Sequence, residues 1–329
     1  MLLPEPADAR LALAATLGAF EPTGGLEPLQ RAVLSDTATA VYDLDLEADP
    51  VTPLGVGAVG DLDLAPELRR QAVHIMALLE LIADPVRTDQ AEAVEHYAHA
   101  LGVHLSLLDD ARRLAHHHIA LMYADLQRSS WYTEATIEQS LHGRLLELVR
   151  SKLAYTGITP DKAIARRWEA LRDLPEGSWG RGVADFYERH GFPFPGERHG
   201  IYEIGARHDF VHVLTDYDAT PEGELDVFAF IAACMPDEKG LVLLAVTIGL
   251  FQNGAIHHVA GKPVKIARTD TLADEGAAAR FAEALDRGRR CPVDVMGGID
   301  HFALAPLPLE EARARLGVAP ATLPAPLDT

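Results

Sequence analysis

The sequence is short of cysteine, basic residues and long hydrophobic runs. It has two cysteines, Cys234 and Cys291, which lie far apart and do not form a CxxC pair. That usage excludes a disulfide framework and a zinc-knuckle spacing, and each cysteine is predicted to be a small buried apolar residue. The N-terminus lacks the basic and apolar pattern of a secretory signal peptide. Together these absences predict a cytoplasmic protein.

Lysine and arginine number 29 against 49 aspartates and glutamates, which gives a net charge of −20. This excess of negative charge argues against nucleic acid as a partner and against attraction to anionic lipid, although an apolar patch could still dock on a membrane. The longest apolar run, Leu241 to Phe251, is too short to span a bilayer and predicts a buried helix. With 48% hydrophobic residues, the chain can bury a sizeable core.

Apolar residues recur at helical spacing along most of the chain, which predicts an all-α, multi-helix fold. Residues 1–60 are predicted to form an N-terminal extension and linker, with a helix over Ala7–Phe20 and a short helix followed by an extended piece over Leu29–Val41. Residues 61–155 are predicted to form a bundle of antiparallel helices, and residues 156–176 a connecting helix. Four helices are predicted in this bundle. The first spans Leu68–Ile82, the second begins after an N-cap at Thr88, and the others span Leu107–Leu126 and Tyr132–Leu153.

Gly55, Gly57 and Gly60 form a GxGxxG pattern, which in dinucleotide-binding proteins closes a strand and opens a helix. Here two prolines precede the pattern and no βαβ unit surrounds it. We therefore interpret the segment from Val51 to Gly60 as a loop or linker and not as a nucleotide site.

Residues 177–329 mix glycine, aromatic residues and helical segments, and they carry the pattern His208-Asp209-x-x-His212. Histidines at i and i+4 lie one above the other on a helix. At about 100° per residue, Asp209 lies little more than a quarter-turn from His208, so all three side chains can reach one ion. Glu224 comes twelve positions after His212 and can supply a fourth ligand if the chain turns back.

The residues between His212 and Glu224 predict that turn. Residues 216–219 interrupt the apolar pattern, Thr220 is a good N-cap, and Pro221 suits the first helical position. Glu224 would then lie in a first helical turn, where the helix dipole favours acids. Two imidazoles and two carboxylates favour Zn, Fe, Mn or Co over Ca or Mg, and we predict Zn. A solvated helix face without a metal is the simpler alternative.

Two further groups of histidines are weaker candidates. His116, His117 and His118 point to different faces of one helix, so they cannot converge on one ion and are predicted to be partly exposed. His257 and His258 lie in a predicted turn or short hairpin that could face the site.

The stretch from Leu78 to His116 carries the signal LLELIADPVRTDQAEAVEHYAHALGV: an apolar helix, an acidic break, an acid-bearing helix and then Leu-Gly. It resembles the tellurite-resistance TerB-like helical domain. Such domains can carry acidic metal sites at the interhelical turn, where this chain has Asp84, Asp89 and Glu92. The resemblance implies an interaction or regulatory module over residues 61–155, and solvated acids are the alternative.

Residues 177–318 resemble the coenzyme Q (ubiquinone) biosynthesis protein 4 family. The residues that carry the resemblance are the HDxxH-x11-E pattern within HDFVHVLTDYDATPEGE, the Met235-Pro236 pair, the helix FAEALDRGRR and the ending PLPLEEARARLGV. The resemblance implies an α-helical, metal-binding domain over residues 177–329. It also implies that the metal ligands are His208, Asp209, His212 and Glu224.

The family resemblance further implies a lipophilic, prenylated quinone-precursor substrate. The implied role at a membrane or in a biosynthetic complex is either oxidative decarboxylation or scaffolding, so an enzyme of the decarboxylase or hydroxylase type stays open, as does a homodimer. Arg207 could hold a substrate carboxylate as a bidentate donor, or could pair with Glu203. The alternatives are a non-catalytic lipid-binding scaffold with a structural metal and a metal-dependent phosphohydrolase.

Overall fold

A computed structural model describes residues 4–104, 161–201, 203, 205–235, 239–254, 258–259, 262–263 and 269–323. It confirms the all-α, multi-helix fold, since helices dominate these ranges. The strands within them are two residues long: β1 (His258–Val259) pairs antiparallel with β2 (Lys262–Pro263). In these ranges no helix is long and apolar enough to cross a membrane.

The N-terminal helices are α1 (Pro6–Phe20), α2 (Pro28–Tyr42), the single turn α3 (Val56–Val59), α4 (Pro66–Ile82) and α5 (Thr88–Ala100). Helix α1 packs against α4 and α5, and this contact buries Leu13 and Met76 completely. The segment from Val51 to Gly60, predicted as a loop or linker, contains the helical turn α3 and lies against α1 and α5. The backbone N–H of Leu54 donates to Ala14 O at 2.9 Å, and the Tyr97 hydroxyl donates to Leu54 O at 2.9 Å.

The remaining helices are α6 (Lys162–Glu169), α7 (Trp179–His190), α8 (Arg207–Thr215), α9 (Pro221–Cys234), α10 (Lys239–Phe251), α11 (Ala277–Arg290), α12 (His301–Leu304) and α13 (Leu309–Leu316). Helix α9 packs against α10 and α11, and α11 packs in turn against α2. One hydrophobic core therefore continues from the N-terminal to the C-terminal helices. The predicted divisions at 60, 155 and 176 stay predictions.

Helix α10 confirms the helix predicted from the longest apolar run, and Leu244 and Ile248 on it are fully buried. Both cysteines are free thiols, and burial raises the pKa of Cys234 to about 12. The helices predicted at 107–126 and 132–153 lie outside the described residues, as do His116, His117, His118 and His257.

Two predicted helix boundaries differ from the structure. The extended piece predicted near Val41 is wrong, because α2 continues to Tyr42. Thr88 is the first helical residue of α5 and not its N-cap, which is Arg87. A 3-10 turn at Thr271–Ala273 precedes α11, and Gly276 separates the two with a left-handed φ of 74°. Propensity alone does not locate such breaks, because tertiary contacts routinely override it.

Candidate metal centre

Helix α8 carries the HDxxH pattern, and its opposite face is fixed in the core. Phe210 is fully buried between the rings of Trp168 and Trp179, with centroids 5.5 and 5.3 Å away. The indole Nε1 of Trp179 also donates to Phe210 O at 2.8 Å. This anchor holds the face of α8 that carries His208 and His212 towards α9.

The loop from α8 to α9 turns as the sequence predicts. Helix α8 ends at Thr215, and the next residue, Asp216, adopts a left-handed φ of 61°. The hydroxyl of Thr220 accepts from Gly223 N at 3.1 Å, so the predicted N-cap is confirmed. A Cβ at Gly223 would lie 1.9 Å from Asp218 O, so the tight return of the chain requires glycine there. Glu224 comes directly after it, in the first turn of α9.

The structure brings together three of the four predicted ligands. Ligand atoms of His208, His212 and Glu224 all lie within 4.8 Å of one another. Glu224 Oε2 is 3.8 Å from His208 Nε2, and Glu224 Oε1 is 3.4 Å from His212 Nε2. The His212 side chain is fully buried, whereas those of His208 and Glu224 are 14% and 20% exposed. The group is therefore inside the protein but open on one side.

Backbone carbonyls orient both imidazoles. Nδ1 of His208 lies 2.7 Å from Gly205 O, and Nδ1 of His212 lies 3.0 Å from Tyr217 O. A carbonyl only accepts, so each Nδ1 carries a hydrogen, and Nε2 is the atom left for a proton or a metal. His212 Nε2 is buried without a hydrogen-bond partner, since 3.4 Å to Glu224 exceeds the usual N–H···O length. Metal-binding histidines are held in this manner by outer carbonyls.

The charges of the group favour a cation at His212. Burial by itself would lower the pKa of His212, but the negative charge of Glu224 and its contact with the ring raise that pKa. Burial would likewise raise the pKa of Glu224, yet the positive charge of His212 lowers it. A metal ion would satisfy the same electrostatic demand as the proton that it displaces.

Asp209 lies at the edge of the group and is not among the residues whose ligand atoms are all within 4.8 Å of one another. Its Oδ1 is 3.3 Å from His208 Nε2, and its Oδ2 accepts from the hydroxyl of Tyr187. Burial raises the pKa of Asp209 against the opposing charge of His208 and His212. Asp209 could therefore bind through Oδ1 while Tyr187 holds its other oxygen.

Four residues around the group were not predicted from the sequence. Phe186 stacks on His212 at 5.3 Å, and Phe228 stacks on His208 at 5.4 Å, measured between ring centroids. Tyr187 and His190 extend from the last turns of α7, and His190 Nε2 lies 2.7 Å from Asp218 Oδ1. For the three residues on α7 the sequence signal is the segment DFYERH, which places aromatic and histidine side chains on one helix without showing what they contact; Phe228 lies in the apolar part of α9.

The predicted substrate residue Arg207 has other neighbours. Burial lowers the pKa of Arg207, and the charged groups that act on it are Glu203, Arg167 and Asp300. None of these belongs to the metal group, so a role for Arg207 in substrate binding stays a prediction. Among the acids of the TerB-like turn, Asp89 pairs with Arg87 at 2.6 Å, while Asp84 and Glu92 are exposed.

A scan against protein-family models and a search of curated proteins both returned no match to this chain. The two family resemblances therefore rest on the sequence motifs alone.

Proposed function

We propose that this protein binds one divalent transition metal through His208, His212 and Glu224, with Asp209 as a fourth ligand. The observation that carries the proposal is His212 Nε2, a buried atom without a hydrogen-bond partner that faces a carboxylate and a second imidazole. Two nitrogen and two oxygen donors suit Zn best, with Fe, Mn and Co as alternatives.

We further propose that the metal serves chemistry on a lipophilic, prenylated aromatic acid, in the manner of the coenzyme Q biosynthesis protein 4 family. A metal held by these residues would supply Lewis-acid chemistry towards a phenolic or carboxylate oxygen. Two features support an accessible, apolar approach to the site. Glu224 and His208 are partly exposed, and Phe192, 44% exposed, packs against Tyr187 at 6.0 Å.

A non-catalytic scaffold with a structural metal is the second candidate. One observation favours it: the donors come from both α8 and α9, so an ion would fasten these two helices together. Lipid binding and contact with a membrane or a biosynthetic complex belong to either candidate.

Metal analysis of protein purified without chelators tests the first proposal. We expect about one transition metal per chain, lost in His212→Ala and in Glu224→Gln but kept in His199→Ala, a change at an exposed histidine. A metal-free wild-type protein that also takes up no added Zn²⁺ or Co²⁺ would refute the metal site.

Loss of the metal has different consequences under the two candidates. If the protein is an enzyme, Glu224→Gln stays folded by circular dichroism but no longer releases CO2 from a prenylated, carboxyl-labelled aromatic acid. If the metal is structural, the same variant unfolds. Mass spectrometry of lipid that co-purifies with the wild type identifies the ligand class in both cases.

A further inference from the structure

Two arginines from the C-terminal helices hold the last turn of α8. Arg313 on α13 donates from Nε to Leu214 O at 2.8 Å and from Nη2 to Val213 O at 3.4 Å. The same Nη2 lies 2.6 Å from Asp216 Oδ2, and this ion pair also holds the residue that follows the helix. These contacts join residues about a hundred positions apart in sequence.

Arg287 on α11 completes the arrangement from the other side. Arg287 is 4% exposed, and its Nη1 donates to Thr215 O at 3.0 Å. Its Nε and Nη2 donate to Ala319 O at 3.0 and 2.7 Å. The guanidinium also lies 5.0 Å from the centre of the Tyr217 ring.

These contacts reach His212 through the backbone. The final carbonyls of a helix have no partner within the helix, and here Val213, Leu214 and Thr215 receive theirs from the two arginines. Tyr217, two residues after the helix, links this backbone to His212. Its N–H donates to His212 O at 3.2 Å, and its carbonyl accepts from Nδ1–H of His212. The arginines thus fix the backbone that decides which nitrogen of His212 faces the centre.

We infer that Arg287 and Arg313 are positioning residues of the metal centre. They act through the last turn of α8 and through Tyr217, and they do not touch the ion. The inference rests on the proposed metal binding. It assigns a function to two of the segments that resemble the coenzyme Q biosynthesis protein 4 family, because each segment supplies one of the arginines.

Cobalt titration of the full-length apo-protein tests this inference. Arg287→Gln and Arg313→Gln should bind Co²⁺ about 10- to 100-fold more weakly, the range found when outer residues of a metal site are removed. The visible spectrum of bound Co²⁺ should also change, because an altered His212 ring changes the ligand field. Two matched controls, Arg290→Gln on α11 and Arg315→Gln on α13, should bind as the wild type does, since both side chains are exposed.

A general loss of stability is controlled by Asn253→Ala. Asn253 Nδ2 donates to Leu81 O at 2.8 Å, so this variant also removes a side-chain donor from a helix end, on α4 instead of α8. It should leave Co²⁺ affinity and spectrum unchanged. If the glutamine variants do not fold, Arg287→Lys and Arg313→Lys decide, because lysine keeps the charge and loses the fork of donors; intermediate affinity is expected.

Folded arginine variants with wild-type affinity and spectrum would overturn the inference and leave the metal proposal standing. A wild-type protein that binds no Co²⁺ would instead remove both.

Discussion

His74 on α4 and His212 on α8 each bury an Nε2 atom that has no hydrogen-bond partner, yet they meet charges of opposite sign. Burial and then the positive charge of Arg70 lower the pKa of His74 to about 3. At His212 burial is outweighed by the charge of Glu224, which raises the pKa. A cation at Nε2 is therefore disfavoured at His74 and favoured at His212. The sign of the neighbouring charge therefore separates a structural histidine from a candidate ligand.

Several other polar side chains buried among the N-terminal helices have hydrogen-bond partners. Gln30 Nε2 donates to Leu79 O and to Gln90 Oε1, both at 2.8 Å, and Gln71 Nε2 donates to the hydroxyl of Tyr42 at 3.1 Å. Such pairing offsets the cost of burial and leaves nothing for a ligand. At the candidate metal centre Nδ1 of each histidine is paired in the same manner, but the buried Nε2 of His212 is not.

Metal removal should have the largest effect and should separate the two histidines completely. At about 1,000 times its Kd, a metal adds about 4 kcal/mol to the free energy of unfolding. Urea unfolding with Zn²⁺ or with a chelator should show this difference in the wild type and in His74→Gln. His212→Gln should show none of it, because its ligand nitrogen is gone. Equal Zn²⁺ stabilisation of both variants would contradict the comparison.

Acid should lower the free energy of unfolding through His74 by about 3 kcal/mol. The folded pKa of His74, about 3, is below the 6.5 of an unconstrained histidine. The stability contributed by the neutral, buried imidazole of His74 is therefore complete above pH 6.5 and is lost as the pH falls towards 3. At pH 4 the unfolded chain carries a proton that the folded chain excludes, which costs about 3 kcal/mol.

His74→Gln removes this proton linkage. The loss of unfolding free energy between pH 7 and pH 4, measured in urea, should be smaller than in the wild type by that amount. His99→Gln, at an exposed residue of α5, should behave as the wild type does. If His74→Gln also does so, the nitrogen of His74 is protonated in the folded protein and the contrast with His212 fails.

Gly223→Ala should have a smaller effect, confined to the α8–α9 side of the comparison. The added Cβ would lie 1.9 Å from Asp218 O, and relief of such overpacking costs about 1–3 kcal/mol. The displaced start of α9 carries Glu224, so Co²⁺ affinity should fall together with stability. Gly57→Ala is the control, because no atom lies within 4 Å of its added Cβ. Loss of stability without loss of affinity would show that Glu224 is not a ligand.

The sequence was sufficient for the all-α class of the fold and for the local part of the centre. Helical spacing predicts α8, and Thr220 with Pro221 predicts the start of α9, since both signals involve residues a few positions apart. The carbonyls of Gly205 and Tyr217 were not predictable, because every residue has a carbonyl and only the fold selects two of them. Arg287 and Arg313 were missed as well, since their contacts depend on helices that come much later in the chain.

The smallest effect concerns the N-terminal acids, which test whether clustered carboxylates alone make a site. Asp89 is paired with Arg87 at 2.6 Å and its side chain is 54% exposed, unlike the buried group on α8 and α9. An exposed ion pair of this kind contributes less than about 1 kcal/mol, and solvent already satisfies the carboxylate. Asp89→Asn should therefore lower the free energy of unfolding by no more than that and leave the metal content unchanged. Loss of bound metal in Asp89→Asn would place a second site at the turn between α4 and α5, and acidity would then suffice without a buried, unpaired nitrogen.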